Sequence, residues 1–239
     1  MCTVTFFPKG KDQYILTSNR DVAPARHADT LIRREMETYT LVYPQDPEAG
    51  GSWIAMDDQG RAACLLNGGF VKHKSRPPYR KSRGLVVLES FEWDSFEAFA
   101  KDYDFDGIEP FTLIGLRPRE GYFEFKWTGE IRFLRQLERP EIFSSATLFD
   151  RAMRAKRKKW FRDWLKTHAD PGEGAILDFH IHGGEQRADF GFVMNRRNVV
   201  CTTSLSQIRR TANGTELYHR DLISGSEETA TLPAQQPSA

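Results

Sequence analysis

The first third of the chain alternates short apolar runs with tight polar turns, a pattern that predicts paired strands. Residues 2–7 and 13–17 flank Pro8-Lys9-Gly10-Lys11-Asp12, a turn with glycine inside it. Residues 52–56 and 61–66 flank Asp57-Asp58-Gln59-Gly60, a second hairpin of the same kind. The runs Trp53-Ile54-Ala55-Met56 and Ala62-Ala63-Cys64-Leu65-Leu66 are nearly continuous, as suits a sheet covered on both faces. Residues 68–81 read as a loop with two prolines and a dense basic set: Lys72, His73, Lys74, Arg76, Arg80 and Lys81. Ser82 is placed to cap a helix that starts at Arg83. Asp94 is placed to cap a second helix over 95–103, where Phe96, Phe99 and Ala100 share one face.

Strands are expected again over 111–116, 121–127, 131–134 and 141–144, and the alternation from Tyr122 to Trp127 predicts one exposed face. Residues 150–167 form an amphipathic pattern. Met153, Trp160, Phe161 and Trp164 lie on one side, Arg151, Lys156, Arg157, Lys158 and Asp163 mostly on the other, with the basic run 154–159 as the solvated face. Further strands are expected over 190–194, 199–205 and 216–221. From Ser224 the chain turns polar and reads as a disordered tail over 224–239, which leaves 1–223 as a single domain. Strands, two helices, strands, one long helix, then strands predict an α+β domain of two packed sheets with helices outside.

Composition narrows the partners. A chain of 239 residues, 39% hydrophobic and 28% charged, is long enough to bury a real core. A net charge of +1 argues against a nucleic-acid or membrane-surface partner by bulk electrostatics. No run approaches the ~18 apolar residues of a membrane span. No leader pattern opens the chain, so a cytoplasmic protein is expected. Cys2, Cys64 and Cys201 have no close spacing, which argues for a reducing compartment and against a disulfide framework or a zinc site. His180 and His182 alternate in Phe179-His180-Ile181-His182-Gly183 and read as a solvated pair on a strand or loop rather than metal ligands. No cofactor is expected. The sequence has no GxSxG, GxxxxGK[ST] or GxGxxG, so serine-hydrolase, P-loop and dinucleotide-binding readings lack support.

The chemistry concentrates near the start. If Met1 is removed, Cys2 becomes the N-terminus and carries both a nucleophilic thiol and a free α-amine to take its proton. Those groups have ordinary pKa values near about 8.5 and about 8, close to working pH. Asn19-Arg20-Asp21 follows the second strand of the first hairpin, and folding back sets Asp21 near Cys2. Asp21 could hold the amine there, while Asn19 or Arg20 binds a substrate carbonyl or carboxylate. Asn67 ends a strand before Gly68-Gly69, where its amide could donate to an oxyanion. The basic loop around 72–83 could bind an anion.

Five short segments then fall into register. Met1-Cys2-Thr3-Val4, Asn19-Arg20-Asp21, Gly50-Gly51-Ser52-Trp53, Gly60-Arg61-Ala62-Ala63 through Asn67, and Ser82-Arg83-Gly84 resemble the NRDE family, the transport-and-Golgi-organisation protein 2 family. That family looks like a branch of the N-terminal-nucleophile hydrolases, near choloylglycine hydrolase and penicillin V acylase. The resemblance implies a four-layer αββα sandwich, with Cys2 as nucleophile, Asp21 on its amine and Asn67 in the oxyanion hole. Asn19, Arg20, Arg83 and Ser145 are the substrate-side candidates. Three positions depart from the pattern. Val22 stands where the family name has Glu, Ser18 where the acylases have Arg, and Ser145 near where they have an asparagine. The expected substrate is a small acyl or amide compound. The alternative is a non-catalytic carrier of haem, acyl-CoA or another amphipathic ligand, a role also linked to members of the resembled family.

Overall fold

The computed structural model describes residues 2–10 and 12–234; for Cys2 it describes the strand position and not the side chain. The two-residue period of the first hairpin sorts its side chains between two cores. In β1 (Cys2–Pro8) and β2 (Tyr14–Val22), Val4, Phe6 and Leu16 enter a core between the sheets, while Phe7 and Ile15 enter a second core under helices. One seven-stranded sheet has the order β10 (Glu141–Ser144), β1, β2, β12 (Val200–Thr211), β13 (Gly214–Asp221), β14 (Glu227–Pro233), with the short β11 (Asn195–Arg196) paired to β12. The other runs in sequence order: β3 (Leu31–Glu35), β4 (Thr40–Pro44), β5 (Ile54–Asp57), β6 (Ala62–Asn67), β7 (Phe111–Arg117), β8 (Gly121–Trp127) and β9 (Arg132–Gln136). Every pairing is antiparallel.

Helices cover both outer faces. α1 (Arg83–Glu89) and α2 (Phe96–Asp102) bury Val86, Val87, Phe96 and Phe99 against Ala55, Ala63, Leu65 and Phe125. α3 (Arg151–Leu165) and α4 (Glu173–His182) bury Phe161, Ile176 and Phe179 against Phe7, Ile15 and Ile142. The result is the four-layer αββα sandwich that the sequence pattern and the family resemblance led us to expect. The near-continuous apolar runs of β5 and β6 have the predicted cause. Ile54, Met56, Cys64 and Leu66 face the inter-sheet core, and Ala55, Ala63 and Leu65 face the helices. No helix among the described residues is long and apolar enough to cross a membrane.

Several expectations are corrected. β2 continues to Val22, so Asn19, Arg20 and Asp21 lie inside the strand rather than after it. β3 and β4 form a hairpin that the apolar pattern did not announce. Ser95, not Asp94, caps α2 by accepting from the Ala98 N–H at 3.0 Å. Glu124 of β8 is buried rather than solvated, and Arg157 of α3 leaves the solvated face to become fully buried. His180 and His182 sit on α4, and His180 is fully buried rather than one of a solvated pair. Residues 190–194 are turns, not strand. The polar stretch after Ser224 contains β14, which pairs with β13 along its length and tucks Leu232 into the inter-sheet core.

β12 is irregular where it passes the candidate site. Thr202 pairs with Asp21 and Ser204 with Arg20, so Thr203 is an extra residue, a β-bulge. Thr202 faces the helix layer with Asp21; beyond the bulge Ile208 faces the inter-sheet core.

Candidate active site

The strand alternation of β2 divides its polar residues between two environments. Arg20 points between the sheets, where its guanidinium lies 3.9 Å from the centre of the Trp53 ring and is paired with Asp46. It also donates to the Arg26 carbonyl. Burial alone would raise the Asp46 carboxyl, but donation by the Ala49 N–H and the nearby Arg26 and Arg20 hold it below the usual range. Arg20, Asn67 and Arg83 line one small cavity of about 100 Å³, together with Val22, Trp53 and Ser82. Three of the residues expected at the site therefore converge. Arg83 also pairs with Glu109 at 2.9 Å.

A close backbone contact sets this cavity's wall. The Ser52 N–H donates to the Gly84 carbonyl at 3.0 Å, and a Cβ on Gly51 would lie 2.3 Å from the Gly84 carbonyl carbon. Glycine at 51 and 84 lets the start of α1 press on the strand-entry segment, which carries Ser82 and Arg83 to the cavity. Ser82 caps that helix, accepting from the Gly84 N–H.

Asn19 and Asp21 point the other way, into the helix layer. The Asn19 amide donates to the carbonyls of His180 at 2.9 Å and Phe192 at 3.0 Å, and its oxygen accepts from His180 Nδ1. The Thr5 hydroxyl then donates to His180 Nε2 at 2.7 Å, so the network assigns the neutral Nδ1–H tautomer. Burial, reinforced by the Arg157 charge, depresses the His180 pKa to about 3. Asn19 thus has its amide committed to α4 and the 190s turn, away from the cavity that Arg20 lines.

Asp21 is fully buried and accepts from the Thr202 hydroxyl at 2.7 Å. Burial pushes its pKa up to about 6, with the Thr202 bond and the Arg157 and Arg196 charges pulling back. Arg157 donates to Thr3 and to the carbonyls of Phe190 and Gly191 at 2.9 and 2.7 Å, and burial lowers it to about 10. The backbone of Cys2 pairs with that of Arg20, next to Asp21; its thiol and Met1 lie outside the described residues. Cys64 and Cys201 are buried.

Ser145 reaches the site through the other sheet. Its hydroxyl donates to the Asn67 backbone carbonyl at 2.8 Å and contacts Thr147 at 3.0 Å. That bond ties the end of β6 to the turn after β10, which is paired to β1 through Thr3 and Ser144. Ser18 faces the inter-sheet core, and its buried hydroxyl has no hydrogen-bond partner among the described residues. Several cations of the loop before α1 are tied down: His73 to Glu109, Arg80 to Asp104, and Lys81 to Glu89.

Sequence reasoning missed Thr202, Arg157, His180 and Asp46. Each is an ordinary residue locally, and only sheet pairing and helix docking bring them to the polar end of β2. A buried-polar signal existed in the strand-forming context of Ser18 to Asp21, which needs partners from elsewhere.

The sandwich, its order of layers and the strand that begins at residue 2 define the fold of the N-terminal-nucleophile hydrolases. Three solved structures carry it at low identity. An arginine-to-leucine variant of conjugated bile acid hydrolase from Clostridium perfringens aligns at 10% identity over 100% of this chain and 98% of that one, with a TM-score of 0.61. A cysteine-to-alanine mutant of the same enzyme aligns at 11% identity over 98% and 97%, with a TM-score of 0.59. Penicillin V acylase from Agrobacterium tumefaciens aligns at 10% identity over 97% and 86%, with a TM-score of 0.59. At these identities the likeness is one of fold. The family model described as Transport and Golgi organisation 2 matches residues 1–178, and the chain belongs to that family. No curated protein matches the chain in sequence.

Proposed function

We propose that this protein is an N-terminal cysteine hydrolase that cleaves an amide or related acyl bond of a small molecule. The observation that carries this reading is the ionisable Asp21, buried beside the start of β1, with Arg20, Asn67 and Arg83 gathered on one cavity at the opposite face of the same strand. In the proposed reaction, removal of Met1 frees the Cys2 α-amine, which takes the thiol proton as sulfur attacks the carbonyl carbon. The Asn67 amide and backbone N–H groups stabilise the oxyanion. The C–N bond breaks, and the leaving amine departs with the proton from the α-ammonium. Water, deprotonated by the same amine, then attacks the thioester, releases the carboxylic acid and restores the thiol. Asp21, ionised above about pH 6, holds the α-ammonium. Arg20 and Arg83 are assigned to the substrate; Asn19 is assigned to hold the strand in place.

Intact-mass measurement of protein from its native host, combined with turnover of an acyl-amide panel, tests this reading. Removal of Met1 and activity abolished in Cys2→Ala are expected. Quantitative retention of Met1 would sink the mechanism, because the base would not exist. A carrier of an amphipathic ligand is the second reading, favoured by a large, partly apolar cavity beside Leu66 and Ser144. Ligand binding that persists in Cys2→Ala with no turnover by the wild type would favour it.

A further inference from the structure

A cavity of about 590 Å³ opens where the edge strand β10 of one sheet faces β8 and β9 of the other, under α3. That volume suits a small organic ligand, for which pockets span about 300–1,000 Å³. One end of the cavity is formed by Leu66 and Ser144, the chain neighbours of Asn67 and Ser145. Ser144 in turn pairs with Thr3, next to Cys2. The cavity therefore borders the strand ends that carry residues assigned to the reaction.

Its wall is divided by chemistry. Phe70 and Phe133 meet edge to face at 5.3 Å between ring centres and remain 44% and 36% exposed, too much for rings with a settled place in a core. Phe143 closes the apolar side. On the opposite side α3 presents Arg151, Arg154 and Lys158, spaced i, i+3 and i+7 on one face. The carboxylates of the lining are already matched. Glu124 takes Lys126 at 2.9 Å and Arg135, and Glu141 takes Arg135 in a two-pronged contact at 2.7 and 2.8 Å. Arg151 and Arg154 have no ion-pair partner among the described residues, Lys158 forms no direct ion pair although its charge helps lower the Glu141 carboxyl, and the Arg154 Nε is buried without a hydrogen-bond acceptor. A buried guanidinium N–H with no acceptor is costly to leave so, and an incoming anion satisfies it.

We propose that this cavity selects amides whose apolar part carries an anionic group, a carboxylate, sulfonate or phosphate. The apolar body lies against Phe70, Phe133 and Phe143, the anion on Arg154 and Lys158, and the scissile bond at the Leu66–Ser144 end. The assignment rests on the reading of Cys2 as the nucleophile.

Binding and turnover test it separately, on the full chain. The binding probes are 8-anilinonaphthalene-1-sulfonate and its neutral counterpart N-phenyl-1-naphthylamine, followed by fluorescence. Wild type and Cys2→Ala should bind the sulfonate saturably and alike. The double variant Arg154→Glu, Lys158→Glu should weaken the sulfonate about tenfold or more while sparing the neutral dye. Phe133→Ala should weaken both. Arg154→Gln repeats the charge test should the double variant not fold. Unchanged sulfonate binding in a folded charge variant, or equal loss of both dyes, overturns the proposal. In turnover, matched anilides with neutral and ω-carboxylated acyl chains separate the two ideas. Hydrolysis without preference for the charged chain removes this inference and leaves the nucleophile standing. No hydrolysis of either, with charge-dependent dye binding intact, removes the nucleophile instead.

Discussion

Thr202 donates its hydroxyl proton to the Asp21 carboxylate at 2.7 Å, across a strand pairing in which the two residues are direct partners. Asp21 thereby keeps one firm hydrogen bond in a site where burial otherwise favours its neutral form. A carboxyl poised near pH 6 is ionised at neutral pH and protonated a little below it, which makes its charge state a matter of modest pH changes.

Asp21 and His180 should give opposing pH dependences. The Asp21 pKa is raised from 3.8 to about 6, so the native state holds its proton more tightly than the unfolded chain. Its contribution is present below about pH 4 and lost as pH rises to about 6, roughly 3 kcal/mol in all. His180 is depressed from 6.5 to about 3, so its contribution is present above about pH 6.5 and lost as pH falls. Between pH 4 and 6 the two slopes have opposite sign. Denaturant midpoints measured across that window should rise with pH in Asp21→Asn and fall with pH in His180→Gln.

The same carboxyl should shape the acid side of catalysis. If ionised Asp21 holds the Cys2 ammonium, kcat/KM falls as pH drops through about 6. A pH–rate profile on any amide turned over by the wild type checks this. An acid limb that stays put in Thr202→Val, where loss of the hydroxyl should move it upward, would break the link.

Removing the Ser145 hydroxyl should separate structure from chemistry. Ser145→Ala loses one hydrogen bond to the Asn67 carbonyl and should destabilise by about 0.5–1.5 kcal/mol. Loosened Asn67 should also lower kcat by about tenfold or more with KM nearly unchanged, because the oxyanion exists only after attack. Equal kcat in the variant and wild type would remove Asn67 from that role.

The contact between Gly51 and Gly84 makes a sharper structural test. A methyl on Gly51 meets backbone at 2.3 Å, whereas one on Gly84 meets the Ser52 nitrogen at 3.1 Å. Gly51→Ala must move the start of α1 and should cost about 2–3 kcal/mol, with Gly84→Ala costing less. Chemical denaturation ranks the two.

Leu232 gives a test in the polar C-terminal stretch. It is 1% exposed in the core between the sheets. Leu232→Ala should destabilise by about 2–5 kcal/mol in the same assay, a loss that a solvated tail could not produce.

The alternation of sequence and core fixed much of this fold in advance, and its failures have physical causes. β8 and β10 match the apolar pattern end for end, and the two-sided runs of β5 and β6 correctly imply covers on both faces. β14 was hidden because Glu227, Glu228 and Thr229 face solvent at an edge, leaving only Ala230 and Leu232 to signal a core. α4 was hidden by the Pro171-Gly172 and Gly174 at its start and by histidines that resemble a loop. The polar end of β2 reads as a turn because Asn19, Arg20 and Asp21 are poor strand formers by composition. They are strand residues because Asp46, Trp53, His180 and Thr202 satisfy them from four other segments, which no local pattern reports. Arg20, Asn67 and Arg83 were legible as candidates, through local pattern and the family resemblance; the wide cavity under α3 was not, since its lining comes from six separate stretches of chain.

The bulge at Thr203 has a consequence for how this chain can change length. On its near side Thr202 meets Asp21 among the helices; on its far side Ser206 reaches His219 and Ile208 enters the space between the sheets. Thr203 is the extra residue, so deleting it would restore regular alternation with Ser204 still opposite Arg20 and every later pair unchanged. Ile208 would stay between the sheets. By contrast, losing one residue from an unbulged strand turns every later side chain to the opposite face. The bulge is thus a slack link beside the carboxylate, through which this strand can shed one residue and keep its frame.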